Sequence, residues 1–407
     1  MALMPLSRRQ FMATTAAAAL ASQTPAGVAR TPVVRAQDVT TRFDPWVEVD
    51  GAALRFNVEV ISRLVRGRPI MAVIKNNAYG LGLTTVASLL EPLPQIAGFA
   101  VVKTAAALAL RAAGITKPVL LMGLFADQDA QELIRQEVSF SLCTEESSER
   151  LGDAARTAGT VARAHVYLDT GMSRMGVPYH RALPWLATLA GLRGVRVEGV
   201  YMEFTEEPDF DRQQLARFRE VTGRATQAGV MLGRLHAASS NAVFNFADAH
   251  LDLVRPGIAL YGAYPSDAGT ERVIAELQPA LRVRARVVRV EELRTGDSVS
   301  YGRNFVATRP TWVATVPMGH ADGYPRQAVN GARVLINGRL YPAIGAVSAS
   351  HTIVELGPER TVAVGDVVTV LGPDNPAIHP NAIADGVGIS VYDVLMHLNP
   401  ALPKLIV

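Results

Sequence analysis

From about residue 44 to residue 275, short apolar runs alternate with stretches of helical periodicity, and this alternation constrains the fold more than anything else in the chain. Ile70 to Ile74 reads as a strand, and Thr84 to Leu93 as a helix capped at Thr84. Gly98 to Val102 is strand-like, and Thr104 to Ala113 is an Ala/Leu-rich helix that stops at Gly114. Val119 to Met122 is another strand, and Asp127 stands as the cap of a helix over Gln128 to Gln136. His165 to Leu168 and Val197 to Met202 are further strands. Buried strands separated by helices must be joined by crossovers, which makes the sheet parallel. About eight such units over roughly 230 residues predict an α/β fold closed into a (β/α)8 TIM-type barrel rather than an open sheet.

The texture changes near Leu277. Leu281 to Val290 alternates apolar and polar residues with period two, as a half-exposed strand does. Arg333 to Ile336, Asn337-Gly338 and Arg339 to Tyr341 read as a hairpin with a type I′ turn. Val362 to Leu371, with Gly365-Asp366 inside, reads as strand, turn, strand. Residues 276–407 are therefore expected to form a smaller, mostly β C-terminal domain after a barrel over residues 44–275.

Composition removes several classes of function. The chain has 407 residues, 49% of them apolar, which is enough for a large core. Its pI of 9.1 invites a nucleic-acid reading. Residues 1–36, however, carry Arg8, Arg9, Arg30 and Arg35 and no acid; without them the net charge falls from +3 to −1. No basic run is left in the body for a phosphate backbone. The leader itself is informative. Ser7-Arg8-Arg9-Gln10-Phe11 matches a twin-arginine export signal, and the apolar run from Phe11 to Ala21 is too short to span a bilayer. Small residues offer cleavage after Ala21 or after Ala36. Residues 1–36 thus predict a twin-arginine signal peptide and leader, a periplasmic or otherwise exported location, and no membrane attachment once the leader is removed. The alternative is a disordered extension on a cytoplasmic protein. Cys143 is the sole cysteine, so no intrachain disulfide can form, and the eight histidines show no metal-ligand spacing.

Lys75 follows an apolar strand and precedes Asn76, Asn77, Ala78, Tyr79 and Gly80-Leu81-Gly82. In a barrel that places its amine at the C-terminal mouth, where active sites sit. A lysine leaving a buried strand has a depressed pKa and can act as a nucleophile toward a carbonyl. The following glycines would let the backbone turn sharply. A strand-end lysine paired with an acid fits the same residues equally well.

The surrounding motifs carry a family resemblance. Met71 to Gly82 resembles the cofactor-lysine motif of the alanine racemase family, the fold-type III pyridoxal phosphate enzymes. Trp46-Val47-Glu48-Val49-Asp50 resembles the family's opening, and Asp169 to Gly176 its Asp-Thr-Gly-Met-x-Arg segment. Arg255 to Gly262 is similar to its Arg-x-Gly-Ile-x-Leu-Tyr-Gly motif. Val299 to Arg303, Gly319 to Tyr324 and Tyr392 to Leu395 resemble its C-terminal signatures. The resemblance implies an amino-acid racemase acting on alanine or a broader set of amino acids, with pyridoxal 5′-phosphate held covalently by Lys75. It implies that Tyr79, Ser240, the amides of Gly257 and Ile258, and Tyr392 hold the phosphate, while Arg255 faces the pyridine nitrogen and Arg174 holds the substrate carboxylate. Lys75 and Tyr301 would exchange protons on opposite faces of the substrate Cα. In the family that tyrosine comes from the partner subunit, which implies a head-to-tail homodimer.

Several positions depart from the family pattern. Glu203 stands where the family has a histidine, Tyr167 where it has an often-carbamylated lysine, and Ala349-Ser350 where it has Met-Asp. His320, Ser239 and Leu81 replace a tyrosine, an asparagine and a histidine. A carboxylate at 203 is expected to pair with Arg255, Tyr167 to change how Arg174 is held, and Ala349 to widen the substrate pocket. The alternatives are a homologue with another reaction, such as decarboxylation or aldol cleavage, and one that binds cofactor without catalysis.

Overall fold

The structure, a computed structural model, describes residue 39, residues 41–266 and residues 268–407. The export signal and both cleavage positions lie outside the described residues. Among those described, no helix is long and apolar enough to cross a membrane.

The barrel runs through β2 (Ile70–Val73), β3 (Ile96–Val101), β4 (Val119–Leu121), β5 (Val138–Leu142), β6 (Ala162–Asp169), β7 (Val195–Tyr201) and β8 (Arg234–His236), all parallel. An eighth, very short piece closes the ring: Leu253 bridges to His236 and Val254 bridges to Ile70. Helices cross between the strands, among them α1 (Gly51–Leu64), α2 (Leu83–Leu90), α3 (Thr104–Ala112), α4 (Asp127–Arg135), α5 (Glu145–Ala158), α6 (Tyr179–Ala190) and α7 (Pro208–Gln227). Strands β2, β4 and β5 are buried throughout and β3 and β6 nearly so, as expected when helices cover a parallel sheet, while β7 and β8 are buried toward their C-terminal ends. Two expected caps differ. The residue before α2 is Gly82, and the Leu83 amide donates to Asn77 Oδ1 at 3.0 Å, so Asn77 takes the role given to Thr84. Asp127 is the first residue of α4, and its carboxylate accepts from Arg150 at 2.6 Å.

The second unit is a nine-stranded sheet. Its members are β1 (Trp46–Val49), β9 (Leu281–Arg286), β10 (Arg289–Leu293), β11 (Thr311–Val316), β12 (Arg333–Ile336), β13 (Arg339–Ile344), β14 (Thr352–Gly357), β15 (Val367–Leu371) and β16 (Lys404–Ile406), in the order β10-β11-β14-β13-β12-β15-β9-β1-β16. The strand β1 (Trp46–Val49), which the sequence groups with the barrel, belongs here, antiparallel to β9 and parallel to β16. The expected strand over Leu281 to Val290 is two strands. It breaks at Val287-Val288 because its halves pair with different partners, β9 with β15 and β10 with β11. The alternation survives in β9, whose residues are buried and half-buried in turn. Of Val362 to Leu371 only β15 is strand; Asp366 accepts from the Ala363 amide at 2.9 Å and turns the chain before it. The hairpin is as expected, with Asn337 and Gly338 at φ 49° and 77°, the pair a type I′ turn requires. Asn57 on α1 ties the two units, donating to Leu260 O and Gln278 O at 3.0 and 2.8 Å while accepting from the Gln278 amide at 2.8 Å.

Candidate active site

Strand ends converge on a cavity of roughly 520 Å³ at the barrel mouth, lined by Lys75, Tyr79, Tyr167, Arg174, Glu203, Ser240, Arg255, Gly257 and Tyr392 among others. Lys75 enters from the end of β2. The turn behind it is made by left-handed residues rather than by the glycines alone. Asn76, Asn77, Ala78 and Tyr79 have φ of 52°, 57°, 51° and 54°. Each such residue is disfavoured by about 1–2 kcal/mol, so the surroundings must hold the turn. They do so through α8 (Val391–Met396) of the second unit, where Met396 Sδ accepts from Asn76 Nδ2 at 3.3 Å and the Leu395 carbonyl lies against Gly80. Burial holds the Lys75 amine below the usual lysine range; Glu203 raises it and Arg174 lowers it.

Opposite Lys75, backbone and hydroxyl groups form a cradle. Ser240 opens a short helix (Ser240–Asn245), and its Oγ accepts from the Gly257 amide at 2.9 Å and the Ala259 amide at 3.3 Å. Gly257 and Ile258 begin a 3₁₀ turn, whose first amides have no partner within the turn itself. A Cβ on Gly257 would stand 2.2 Å from the Tyr79 hydroxyl. Gly257→Ala is therefore expected to displace Tyr79, lower stability by about 1–3 kcal/mol and weaken cofactor retention, measured by denaturant unfolding and dialysis. Tyr79 packs 4.8 Å from Tyr261 and 6.3 Å from Tyr392, centroid to centroid. Burial pushes the Tyr79 and Tyr392 phenols up, so both remain protonated donors.

Beneath the cavity runs a buried polar chain that sequence reasoning missed. Arg255, 2% exposed, donates to His236 Nδ1 at 2.9 Å, to Met202 O at 2.7 Å and to Ala237 O at 3.2 Å. Because arginine can only donate, His236 Nδ1 is the acceptor and its proton sits on Nε2. That proton is donated to His165 Nδ1 at 2.8 Å. Burial keeps both imidazoles neutral, with His165 pushed down to about 3. Tyr201 stacks on His236 and on Tyr167, with its hydroxyl 2.6 Å from Ser141 Oγ. These residues come from β5, β6, β7, β8 and the closing segment, so no sequence spacing announces them.

Glu203 lies between two cations, 3.6 Å from Arg255 and 4.0 Å from Arg174. The expected pairing with Arg255 is present, and Arg174, with a side chain 57% exposed, is reached as well. Tyr167 lies against Arg174, which acts to lower its phenol pKa while burial raises it. Tyr301 is elsewhere. It is 77% exposed on the second unit and does not line the cavity of its own chain. Its loop is held under strain: Ser300 has φ 62° and ψ −174°, a region almost reserved for glycine, with its hydroxyl donating to Ala346 O at 2.9 Å. Ala349, Ser350 and His320 also lie away from the cavity, and His320 accepts from Arg326 at 2.8 Å.

Residues 49–265 match the family described as alanine racemase, N-terminal domain, and residues 280–406 match alanine racemase, C-terminal domain. The chain belongs to the alanine racemase family. An alanine racemase of Geobacter sp. strain M21 is 36% identical over 361 residues, covering 86% of this chain and 94% of its own. One from Desulfovibrio desulfuricans is 33% identical over 371 residues, covering 89% and 98%. Among solved structures, the alanine racemase of D-cycloserine-producing Streptomyces lavendulae superposes with a TM-score of 0.84 at 29% identity, covering 90% of this chain and 98% of its own. That of Clostridium difficile 630 gives 0.83 at 28%, covering 89% and 95%.

Alanine racemases are pyridoxal phosphate enzymes, and this cavity suits that cofactor on its own chemistry. It presents a desolvated amine for an aldehyde, protonated hydroxyls and backbone amides for a phosphate, and a fixed guanidinium for a ring nitrogen. Ser239 Oγ also lines it, buried without a hydrogen-bond partner among the described residues, as a donor awaiting a ligand would be.

Proposed function

We propose that this alanine racemase interconverts the L and D forms of alanine and of larger amino acids by two-base proton transfer between Lys75 and Tyr301 of the partner subunit. The protein is a pyridoxal phosphate-dependent isomerase of its family. Its cofactor, when bound, acidifies the substrate Cα–H by spreading the charge left after proton loss. Everything else falls to the chain. Lys75 accepts and returns a proton on one face of Cα, helped by the desolvation that lowers its amine. Tyr301 serves the other face. Arg174 holds the substrate carboxylate, and Tyr79, Ser240, Gly257, Ile258 and Tyr392 hold the phosphate. The Arg255 guanidinium faces the ring nitrogen, keeps it unprotonated and so disfavours transamination.

The single observation that carries this reading is the meeting of Lys75, Ser240, Arg255 and Tyr392 around one cavity from three distant parts of the chain. Tyr301 on a strained, exposed loop supports delivery to a second copy, and hence a head-to-tail homodimer. Tyr167 and Glu203, which line the cavity in place of a lysine and a histidine, support a pocket not confined to a methyl side chain. Purified protein incubated with single L-amino acids should lose optical rotation with alanine and with larger side chains. Bound cofactor without turnover of any amino acid would overturn the racemase reading.

Glu203 gives a pH prediction. Its charge raises the Lys75 amine, so Glu203→Gln lets the amine deprotonate at lower pH. Capture of pyridoxal phosphate by the apoenzyme, followed by stopped-flow absorbance, should then keep its rate to a lower pH than in the wild type. An unchanged acid limb would remove Glu203 from the tuning of Lys75. For location, the proposal is export by the twin-arginine route through residues 1–36. Fusion of that segment to a folded reporter should give periplasmic signal that Arg8→Lys with Arg9→Lys abolishes.

A further inference from the structure

Arg174 stands on a loop whose shape has to be held from outside. Between Asp169 and Gly176 three residues are left-handed, Gly171 at φ 138°, Ser173 at 56° and Gly176 at 104°, and Ser173 is disfavoured there by its side chain. Within the loop, Asp169 Oδ1 accepts from the Gly171 and Ser173 amides, both at 3.0 Å. Further support comes from α7, behind the cavity wall. Arg217 donates to Thr170 O at 2.7 Å. Its guanidinium lies against two rings, 4.7 Å from the centroid of Tyr179 and 5.2 Å from that of Phe210, and such stacking of a planar cation fixes where its donors point. The loop backbone rests directly on this group: a Cβ on Gly171 would stand 2.6 Å from Phe210 Cζ and 3.1 Å from Arg217 Nη1.

Gln214, on the same face of α7, is fully buried and spends its amide on two loops at once. Its Nε2 donates to Thr170 Oγ1 at 3.3 Å and to Glu203 O at 3.1 Å, while its Oε1 accepts from the Thr205 amide at 3.0 Å and the Thr205 hydroxyl at 3.2 Å. Helix α7 thus grips the Arg174 loop at Thr170 and the segment after β7 at Glu203 and Thr205, and sets Arg174 and Glu203 at their 4.0 Å separation. Neither Gln214 nor Arg217 lines the cavity, so neither reaches a ligand there. We infer that Arg217 and Gln214 are positioning residues for Arg174: by fastening Thr170 they hold the guanidinium where a substrate carboxylate docks, so that less ordering remains to be done on binding. This rests on the reading of Arg174 given above.

The test is a double-mutant cycle on the holoenzyme, read on KM and kcat for alanine. Arg217→Met keeps an apolar stem against the two rings and removes the donor to Thr170. It should raise KM about tenfold and change kcat by less than about threefold, because the binding lost is common to ground and transition states. Thr170→Val keeps the volume, removes the acceptor of Gln214, and should raise KM about threefold. Affinity for the cofactor should be the same in both variants as in the wild type. Arg174→Ala alone should raise KM about 10- to 100-fold, and adding Arg217→Met to it should raise KM no further. Losses that multiply in the double variant, or a fall in kcat or cofactor affinity in place of the rise in KM, would make Arg217 a support of the barrel alone and overturn the proposal while leaving the Arg174 reading intact. An unchanged KM in Arg174→Ala would overturn both.

Discussion

Lys75→Ala is expected to abolish racemisation and to leave a protein that borohydride no longer locks to pyridoxal phosphate. Loss of the proton-transfer role alone should lower turnover by about 10²–10⁴-fold, and loss of the covalent anchor adds to that. The structure makes the assignment specific, because Lys75 is the lysine that lines the cavity and burial lowers the pKa of its amine. Peptide mass spectrometry after borohydride reduction should place the cofactor on the peptide containing Lys75. A label on any other lysine would contradict the site. Circular dichroism of the variant controls for the left-handed turn that follows residue 75.

Tyr301→Phe is expected to lower turnover by about 10²–10⁴-fold while leaving cofactor binding and fold unchanged, since its side chain is exposed and makes no part of its own chain's cavity. The informative experiment mixes the two inactive variants. If each site takes Lys75 from one subunit and Tyr301 from the other, random exchange restores roughly a quarter of the sites. Activity that does not recover after subunit exchange would mean that both groups act from the same chain, against the exposed position of Tyr301.

The barrel was legible because eight buried strands need helical crossovers, and the period of the pattern changes where the second unit begins. The hairpin at Asn337-Gly338 was legible because a type I′ turn needs two residues that tolerate positive φ. The motif residues of the cavity were legible as a set, through their order along the chain. What stayed hidden is what closure of the barrel brings together. His165, His236 and Arg255 stand on separate strands, and each alone reads as a buried residue of no special kind. The break at Val287-Val288 was hidden because alternation reports which face a residue occupies and is silent on which strand it pairs with. The same silence explains why β1 was grouped with the barrel.

That misplaced strand has a consequence for how the protein is made. β1 lies between β9 and β16, with the Val47 amide donating to Pro403 O at 2.8 Å and the Val407 amide to Val49 O at 3.0 Å. One edge of the second sheet thus joins segments roughly 350 residues apart, among the slowest kinds of contact to form. Until residues 404–406 leave the ribosome, β1 has no parallel neighbour and stays an unpaired edge open to other chains. Closure of this sheet therefore waits for residues 404–406, and the second unit is complete only once β16 has docked beside β1.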